Sequence, residues 1–166
     1  MNRVLFSLLV LPGWVLAASG SPDSHFYRSL AEGGTAEVAL GSLASHKATS
    51  DSVRDFAVMM VKDHSSANAQ LVALAASKHV SLPKGRGAKA DAEMVELKAL
   101  SGNAFDKSYV SNQISAHQRT VSLLQKEIDS GQDPDAKSFA EKVLPTVQSH
   151  LSAIEKIADQ MGIRRS

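Results

Sequence analysis

The clearest helical pattern in the sequence lies in residues 53–74. Its apolar residues recur at spacings of three and four, the spacing of one face of an α-helix. They are Val53, Phe56, Ala57, Met60, Ala67, Leu71 and Leu74. His64 lies on the same face, so the pattern predicts a helix that buries an imidazole ring among apolar side chains.

A first helix is predicted before this one. It begins at residues 21–23, where Ser21 can cap the helix and Pro22 suits its first turn, and it ends near Lys47. Its stripe consists of Phe26, Leu30, Gly34, Glu37, Leu40, Gly41 and Ala44. Glu37 therefore shares the buried face. Gly33, Gly34 and Gly41 would allow a neighbouring backbone to approach closely.

The helix that contains His64 is predicted over residues 52–78, after a cap at residues 49–51. It forms a hairpin with the first helix. Residues 79–90 contain Pro83, Gly85 and Gly87, which break regular structure, so this segment is predicted to be the crossover connection. A short helix over residues 91–100 follows.

Two more long helices complete the chain. Asn103 and Asp106 resemble a capping box at the start of a helix that ends at Gly131. Its stripe is Phe105, Tyr109, Gln113, Ala116, His117, Val121, Leu124 and Ile128. Residues 133–134, an Asp-Pro pair, begin the last helix. Its stripe is Phe139, Val143, Val147, His150, Ile154, Ile157 and Met161. Pro145 lies within it and predicts a kink.

A faint internal repeat supports this organisation. Residues 52–57 parallel residues 135–140, at the starts of the second and fourth long helices. Two related hairpins joined by a crossover indicate an all-α, ferritin-like four-helix bundle with a short extra helix. We expect one such domain over residues 21–163, since a chain of 166 residues that is 43% apolar fits one core.

The N-terminus has the features of a secretory signal peptide. Asn2 and Arg3 are followed by an apolar run over residues 4–16 and a small-residue cleavage pattern that ends at Ala17. The run is shorter than the ~20 residues of a spanning helix. We therefore expect residues 1–18 to be removed, leaving a periplasmic or secreted protein without a stable membrane span.

Composition and charge argue against disulfides, a lipid anchor and nucleic-acid binding. The sequence contains no cysteine, so neither disulfides nor lipid attachment to a processed N-terminal cysteine is expected. Removal of the signal takes away one basic residue, Arg3, and leaves 17 basic and 17 acidic residues. This balance argues against nucleic acid as a partner, because that binding needs a basic surface. A protein partner or a homo-oligomer remains open.

The candidate chemistry lies at four polar residues on apolar stripes, one from each long helix: Glu37, His64, His117 and His150. Carboxylate and imidazole groups on facing helices are how bundles hold metals, so these residues predict a divalent transition metal ion as the one cofactor. The ferritin-type dinuclear pattern has Glu three residues before His. Here Val61 and Val147 occupy those positions, which argues against a dinuclear oxidase centre.

Two alternatives stay open at this point. Each histidine could instead be a neutral core residue bonded to a nearby carbonyl or carboxylate, such as Asp63 or Glu141. The protein would then be a non-catalytic envelope or stress-related protein that binds a partner through a helical face. No catalytic residue is predicted, since Ser65 and Ser66 lie in a helix interior without an oriented triad. Whether the protein is an enzyme is not decided by its sequence.

Several segments resemble a known family. They are residues 31–44, 53–71, 100–110 and 133–158, together with the His117 helix. These motifs are similar to those of bacterial exported proteins grouped as domain of unknown function 4142. The resemblance implies a periplasmic helical bundle and no assigned activity. The motif positions of that family include Glu37, His64, His117 and His150, although the resemblance assigns them no role.

Overall fold

The structure, a computed structural model, describes residues 23–163, which form five α-helices. They are α1 (Ser24–Lys47), α2 (Asp51–Ser77), α3 (Gly87–Ala99), α4 (Gly102–Ser130) and α5 (Pro134–Gln160). The four long helices lie where the sequence predicts them. The short helix begins at Gly87, four residues earlier than predicted. The predicted signal peptide (residues 1–18) and Ser21 lie outside the described residues.

The connectivity of the helices is ferritin-like, which confirms the predicted fold class. The main packing partners are α1 with α2 and α4 with α5, and the two hairpins meet along α1 with α4 and along α2 with α5. Asp106 near the start of α4 binds the turn after α1, so these two helices are antiparallel. Consequently α2 and α4 run in the same direction, and the segment that joins them returns along the bundle, where α3 packs against α1 and α4.

The two hairpin turns are held by equivalent aspartates, each from the other hairpin. The Asp106 carboxylate accepts hydrogen bonds from the backbone N–H groups of Thr49 and Ser50. The Asp23 carboxylate accepts from those of Gln132 and Asp133. The members of each equivalent pair, such as Asp23 and Asp106 or Thr49 and Gln132, are 83 residues apart, the same shift that relates residues 52–57 to 135–140.

Helix capping differs from the sequence prediction at three helices. The N-cap positions of α1 and α2 are Asp23 and Ser50, and neither residue forms a side-chain cap. The predicted capping box of Asn103 and Asp106 is wrong: α4 begins after Ser101 without a side-chain cap. Asp106 is 1% exposed and directs its carboxylate to the neighbouring turn instead, where it binds two backbone N–H groups at once. The predicted Asp-Pro start of α5 is confirmed, since the Asp133 carboxylate accepts from Asp135 N at 3.0 Å.

The apolar core is divided into two clusters, one toward each end of the bundle. The first contains Phe56, Phe105 and Ile154, and the second contains Phe26 and Leu71. In α2, α4 and α5 the boundary between the clusters falls at the histidine of the predicted site. A polar layer therefore crosses the middle of the bundle, at the level where the histidines of different helices can meet.

One of the three glycines in α1, Gly41, allows the close backbone approach that the sequence predicts, and Gly34 makes room for a side chain instead. A Cβ at Gly41 would lie 3.0 Å from the Ala57 carbonyl oxygen of α2, and one at Gly34 would overlap the Asn68 side-chain amide. Gly33 is different, because no atom lies within 4 Å of its Cβ position. Among residues 23–163, none of the helices has the length and apolar character needed to cross a membrane.

Candidate metal centre

The three predicted histidines converge in the polar layer. The ring centroids of His64 and His117 are 5.8 Å apart, those of His64 and His150 5.6 Å, and those of His117 and His150 5.6 Å. The rings thus form a nearly equilateral triangle. One nitrogen from each ring lies within 4.8 Å of the other two, an arrangement that could hold a metal ion.

Apolar packing encloses this triangle. His117 and His150 are only 1% and 3% exposed, and His64 is half-buried. The Phe56 ring lies edge-on to the His117 ring, with 6.1 Å between centroids. Because packing fixes these rings and the helices fix their backbones, the three imidazoles are held in position before any ion arrives.

Two hydrogen bonds orient the rings of His117 and His150. The Nδ1 of His117 lies 2.9 Å from the Gln113 carbonyl oxygen, and the Nε2 of His150 lies 3.0 Å from Asp63 Oδ2. A carbonyl or carboxylate oxygen accepts, so the ring nitrogen in each pair donates. The lone pair is then on Nε2 of His117 and on Nδ1 of His150. Such outer hydrogen bonds are typical of histidines that bind metals.

Each of the three rings has one nitrogen without a hydrogen-bond partner in the described part of the chain. His64 Nε2, His117 Nε2 and His150 Nδ1 are buried and have no hydrogen-bond partner within residues 23–163. Buried polar atoms are nearly always satisfied in folded proteins. Hydrogen bonding to a nearby carbonyl or carboxylate therefore accounts for one nitrogen of His117 and of His150, but leaves one nitrogen on each of three adjacent rings unexplained.

Electrostatics keeps two of the rings neutral. Burial, together with the smaller effects of the neighbouring His117 and His150, lowers the pKa of His64 to about 3. Burial likewise lowers the pKa of His117 to about 4, against the opposing effect of its hydrogen bond to the Gln113 carbonyl. Neutral imidazole is the form that coordinates metals. Both rings are therefore in that form at neutral pH.

The fourth predicted residue, Glu37, lies beside the triangle and is not one of the groups within 4.8 Å of one another. It is 6% exposed, and its carboxyl group accepts a hydrogen bond from the Gln113 side chain. Burial raises the pKa of Glu37 to about 7, and the Gln113 hydrogen bond opposes this. Gln113 precedes His117 by one helical turn. Because Glu37 bonds Gln113, it lies about one helical turn away from the histidine triangle.

Glu37 and its neighbours form a buried polar group. Tyr109 is fully buried, and its pKa is raised well above the ordinary value by burial and then by the charge of Glu37. Glu37 Oε2, Tyr109 Oη and Gln113 Oε1 have no hydrogen-bond partner among the described residues. This group is connected to the histidine triangle through Gln113, whose backbone carbonyl orients His117.

Solvent reaches the triangle between α2 and α5. A cavity of about 300 Å³ there is lined by His64 and His150, and also by Asp63 and Lys142. The Lys142 ammonium group donates a hydrogen bond of 2.6 Å to the Gln70 side chain, which joins the two helices next to this opening. An ion could therefore enter the polar layer without separating the hairpins.

Sequence reasoning found the three histidines and offered Asp63 as a hydrogen-bond partner for a histidine, which the bond to His150 bears out, but it missed the role of Gln113. Asp63 lies directly before a helical histidine, about 100° around the helix, and so reaches a neighbouring helix. Gln113 had a weaker signal, a polar residue four positions before His117 on the same stripe. Its role depends on the backbone carbonyl, which any residue type would provide.

Two solved structures have the same fold. A DUF305 protein from Streptomyces coelicolor, provisionally described as secreted, superimposes with a TM-score of 0.75 at 14% identity over 88% of this chain and 96% of that one. A DUF305 fragment from Deinococcus radiodurans gives a TM-score of 0.73 at 14% identity over 83% of this chain and 95% of that one. At this identity the likeness concerns the fold alone.

Sequence comparison gives a more specific result. No curated protein matches this chain. A family model does match it, over residues 16–157, which include every helix position discussed above except the end of α5. The expected resemblance is thereby confirmed: the chain belongs to the family described as domain of unknown function DUF4142.

Proposed function

We propose that this protein binds one transition metal ion through His64, His117 and His150. The observation that carries the proposal is that the three rings meet with one nitrogen of each within 4.8 Å of the others, and that each ring has a buried nitrogen without a partner among the described residues. Burying three imidazoles side by side is unfavourable unless their free nitrogens acquire a partner. A metal ion would satisfy all three at once.

The donor set favours zinc or copper over a ferritin-type iron pair. Three neutral imidazoles suit Zn²⁺ and Cu²⁺, whereas dinuclear iron sites in bundles use several carboxylates. Bonds of about 2.0–2.1 Å in a tetrahedral Zn²⁺ site place nitrogens about 3.3 Å apart, so rings whose nitrogens lie within 4.8 Å would need small rotations. Three protein ligands leave a fourth position open to water or another molecule.

The metal proposal is tested by stoichiometry. Untagged protein purified from its native compartment should contain about one equivalent of zinc or copper by elemental analysis. Calorimetric titration of metal-free protein should give one site per chain. Replacing His64, His117 or His150 by Ala should each weaken binding while helix content by circular dichroism stays the same. Equal affinity in the wild type and all three variants would refute the proposal.

We also propose that the protein is exported to the periplasm or secreted. The proposal is supported by the basic start, apolar run and small-residue site of residues 1–18, and by the DUF305 neighbour that is provisionally described as secreted. The exported protein should begin between residues 18 and 21. Intact-mass measurement that finds Met1 on the exported protein would contradict this.

The alternative, partner binding through a helical face, has weaker support in the structure. The large apolar side chains that are most exposed among residues 23–163 are Val58, Val72 and Val95. Val58 and Val72 are on α2 but are four helical turns apart, with Lys62 and Ser65 between them. Scattered single apolar residues are normal on soluble proteins and do not form a binding patch.

A further inference from the structure

A second cavity lies next to the histidine triangle. It has a volume of about 50 Å³ and is lined by residues of α1, α2, α4 and α5. Its walls are mainly apolar, with Leu71, Phe139 and Val143 among them, and it also borders the His64 ring and Glu37. The His64 ring thus lies between this cavity and the opening that leads to solvent between α2 and α5.

The internal repeat explains why space is left here. A shift of 83 residues places Gly34 at the position of His117, Ala67 at that of His150, and Val147 at that of His64. Gly34, Ala67 and Val147 all line the cavity. The cavity is therefore the counterpart of the histidine triangle in the pseudo-symmetric bundle, and it is open because smaller side chains stand where the other half has imidazole rings.

The wall contains one buried carboxyl group, which also borders a wider cavity lined by Glu93 and Arg119. Glu37 lines the cavity, is 6% exposed, and its Oε2 has no hydrogen-bond partner in the described part of the chain. A purely apolar void would not need a buried carboxyl group in its wall. A carboxyl oxygen in this position can accept a hydrogen bond from a bound molecule.

We propose that this cavity binds a small neutral molecule with one hydrogen-bonding group, directed at Glu37, and an apolar remainder that contacts Leu71 and Phe139. An apolar cavity of about 150 Å³ accepts benzene, so a cavity of one third that volume accepts about two to four non-hydrogen atoms. The cavity is formed by the helices themselves, so this binding does not require a metal. That the molecule would lie beside a metal ligand, as a substrate does, rests on the proposed metal function.

Ethanol and xenon serve as probes in metal-free protein, so that failure of the metal proposal does not affect the result. Ethanol should shift the backbone NMR signals of Leu71 and Phe139 saturably, with a Kd in the millimolar range expected for so small a ligand. Shifts that stay linear with ethanol concentration, or that occur equally over the protein surface, would overturn the proposal.

Gly33 offers a matched pair of variants, because it lines the cavity and no atom lies within 4 Å of its Cβ position. Gly33→Leu should weaken ethanol binding about tenfold or more by filling space, whereas Gly33→Ala should leave it within about twofold. Glu37→Leu provides a second test that does not depend on filling the cavity. It should weaken the binding of ethanol but preserve the binding of xenon. Unchanged ethanol affinity in both Gly33→Leu and Glu37→Leu would refute the site.

Discussion

Asp63 illustrates how a single residue outside the triangle can control a ligand. Its carboxylate accepts the Nε2 hydrogen of His150, which leaves the lone pair of that ring on Nδ1 and fixes the orientation of the ring. Asp63→Ala should lower the affinity for Zn²⁺ by about 10- to 100-fold without loss of helix content. Asp55→Ala, an exposed aspartate on the same helix, is the control. Equal affinities measured by competition with a chelator would show that Asp63 does not orient the ring.

Glu37 should make the unfolding free energy fall as the pH rises, and the Glu37→Gln variant should lack this dependence. Its pKa is about 7 in the folded protein and 4.5 for the ordinary carboxyl, so between these values the folded state binds more protons than the unfolded state. Its contribution is thus complete below pH 4.5 and is lost as the pH rises through 7. Relative to wild type, Glu37→Gln should gain up to about 3 kcal/mol of unfolding free energy between pH 4.5 and 8.

Denaturant unfolding of both proteins across this pH range tests the Glu37 prediction. The lowered pKa values of His64 and His117 act in the opposite direction, because the unfolded state then binds more protons below pH 6.5. Their effect is common to wild type and variant and cancels in the comparison. A constant difference between the two proteins at all pH values would mean that Glu37 is not buried as a titrating group.

The sequence predicts which residues of the candidate site face the core, because it predicts the buried face of each helix. The stripe spacing placed His64, His117 and His150 on buried faces, and the packing of α2, α4 and α5 brought them to one level. Glu37 has the same kind of stripe position, yet it bonds Gln113, one turn away from His117. Spacing along a helix fixes the direction of a side chain but not the axial offset between two helices, which only packing determines.

At the scale of elements, Asp106 should be among the most sensitive polar residues in the fold. It is 1% exposed, and its carboxylate accepts from Thr49 N at 3.1 Å, Thr49 Oγ1 at 2.6 Å and Ser50 N at 2.9 Å. Asp106→Ala would leave these donors unsatisfied at the start of α2, so it should lower the unfolding free energy by about 2 to 4 kcal/mol. Asp129→Ala, which affects an exposed aspartate on the same helix, should change it by less than about 0.5 kcal/mol.

Asp23 provides an internal comparison for Asp106. It binds the other hairpin turn in the equivalent way, but its charge also raises the pKa of Glu127, after the larger effect of burial. Asp23→Ala should therefore be less destabilising than Asp106→Ala, because it also removes this repulsion. Chemical denaturation of both variants decides the matter, and a larger loss for Asp23→Ala would show that the repulsion is unimportant.

The long helices were predictable because each has a long and regular apolar stripe. The Asp-Pro pair before α5 acts locally, so its signal was read correctly. The Asn103 and Asp106 pair was misread because Asp106 reaches 57 residues back along the chain, to Thr49. An aspartate that caps its own helix and an aspartate that binds a neighbouring turn can have the same local sequence. The packing of the hairpins decides between them.

At the scale of the whole molecule, the pseudo-symmetry separates what the fold requires from what function adds. The turn aspartates and the paired Phe56 and Phe139 occur in both halves, as expected of residues that build the hairpins. The three histidines occur once, and their counterparts are Gly34, Ala67 and Val147. A fold that needed polar residues at this level would need them twice, so the one-sided placement supports a role in binding rather than in folding.

Metal binding should consequently stabilise the whole domain. An ion that binds only the folded state adds about 2.7 kcal/mol when its free concentration is 100 times its Kd. For a domain of this size that corresponds to a rise in Tm of about 10 °C. We expect Zn²⁺ to produce this rise in the wild type, measured by calorimetry in a buffer that does not bind metals.

The histidine variants determine whether such a rise comes from the triangle. His117→Ala removes the most buried of the three rings, so Zn²⁺ should then raise the Tm by no more than about 2 °C. His46→Ala is the matched control, because His46 is an exposed helical histidine that bonds only to Ser42 and Ser45 nearby. It should keep the full rise. If His117→Ala and the wild type gained the same Tm, the ion would be bound elsewhere, and the triangle would be a set of core histidines whose free nitrogens are satisfied by water.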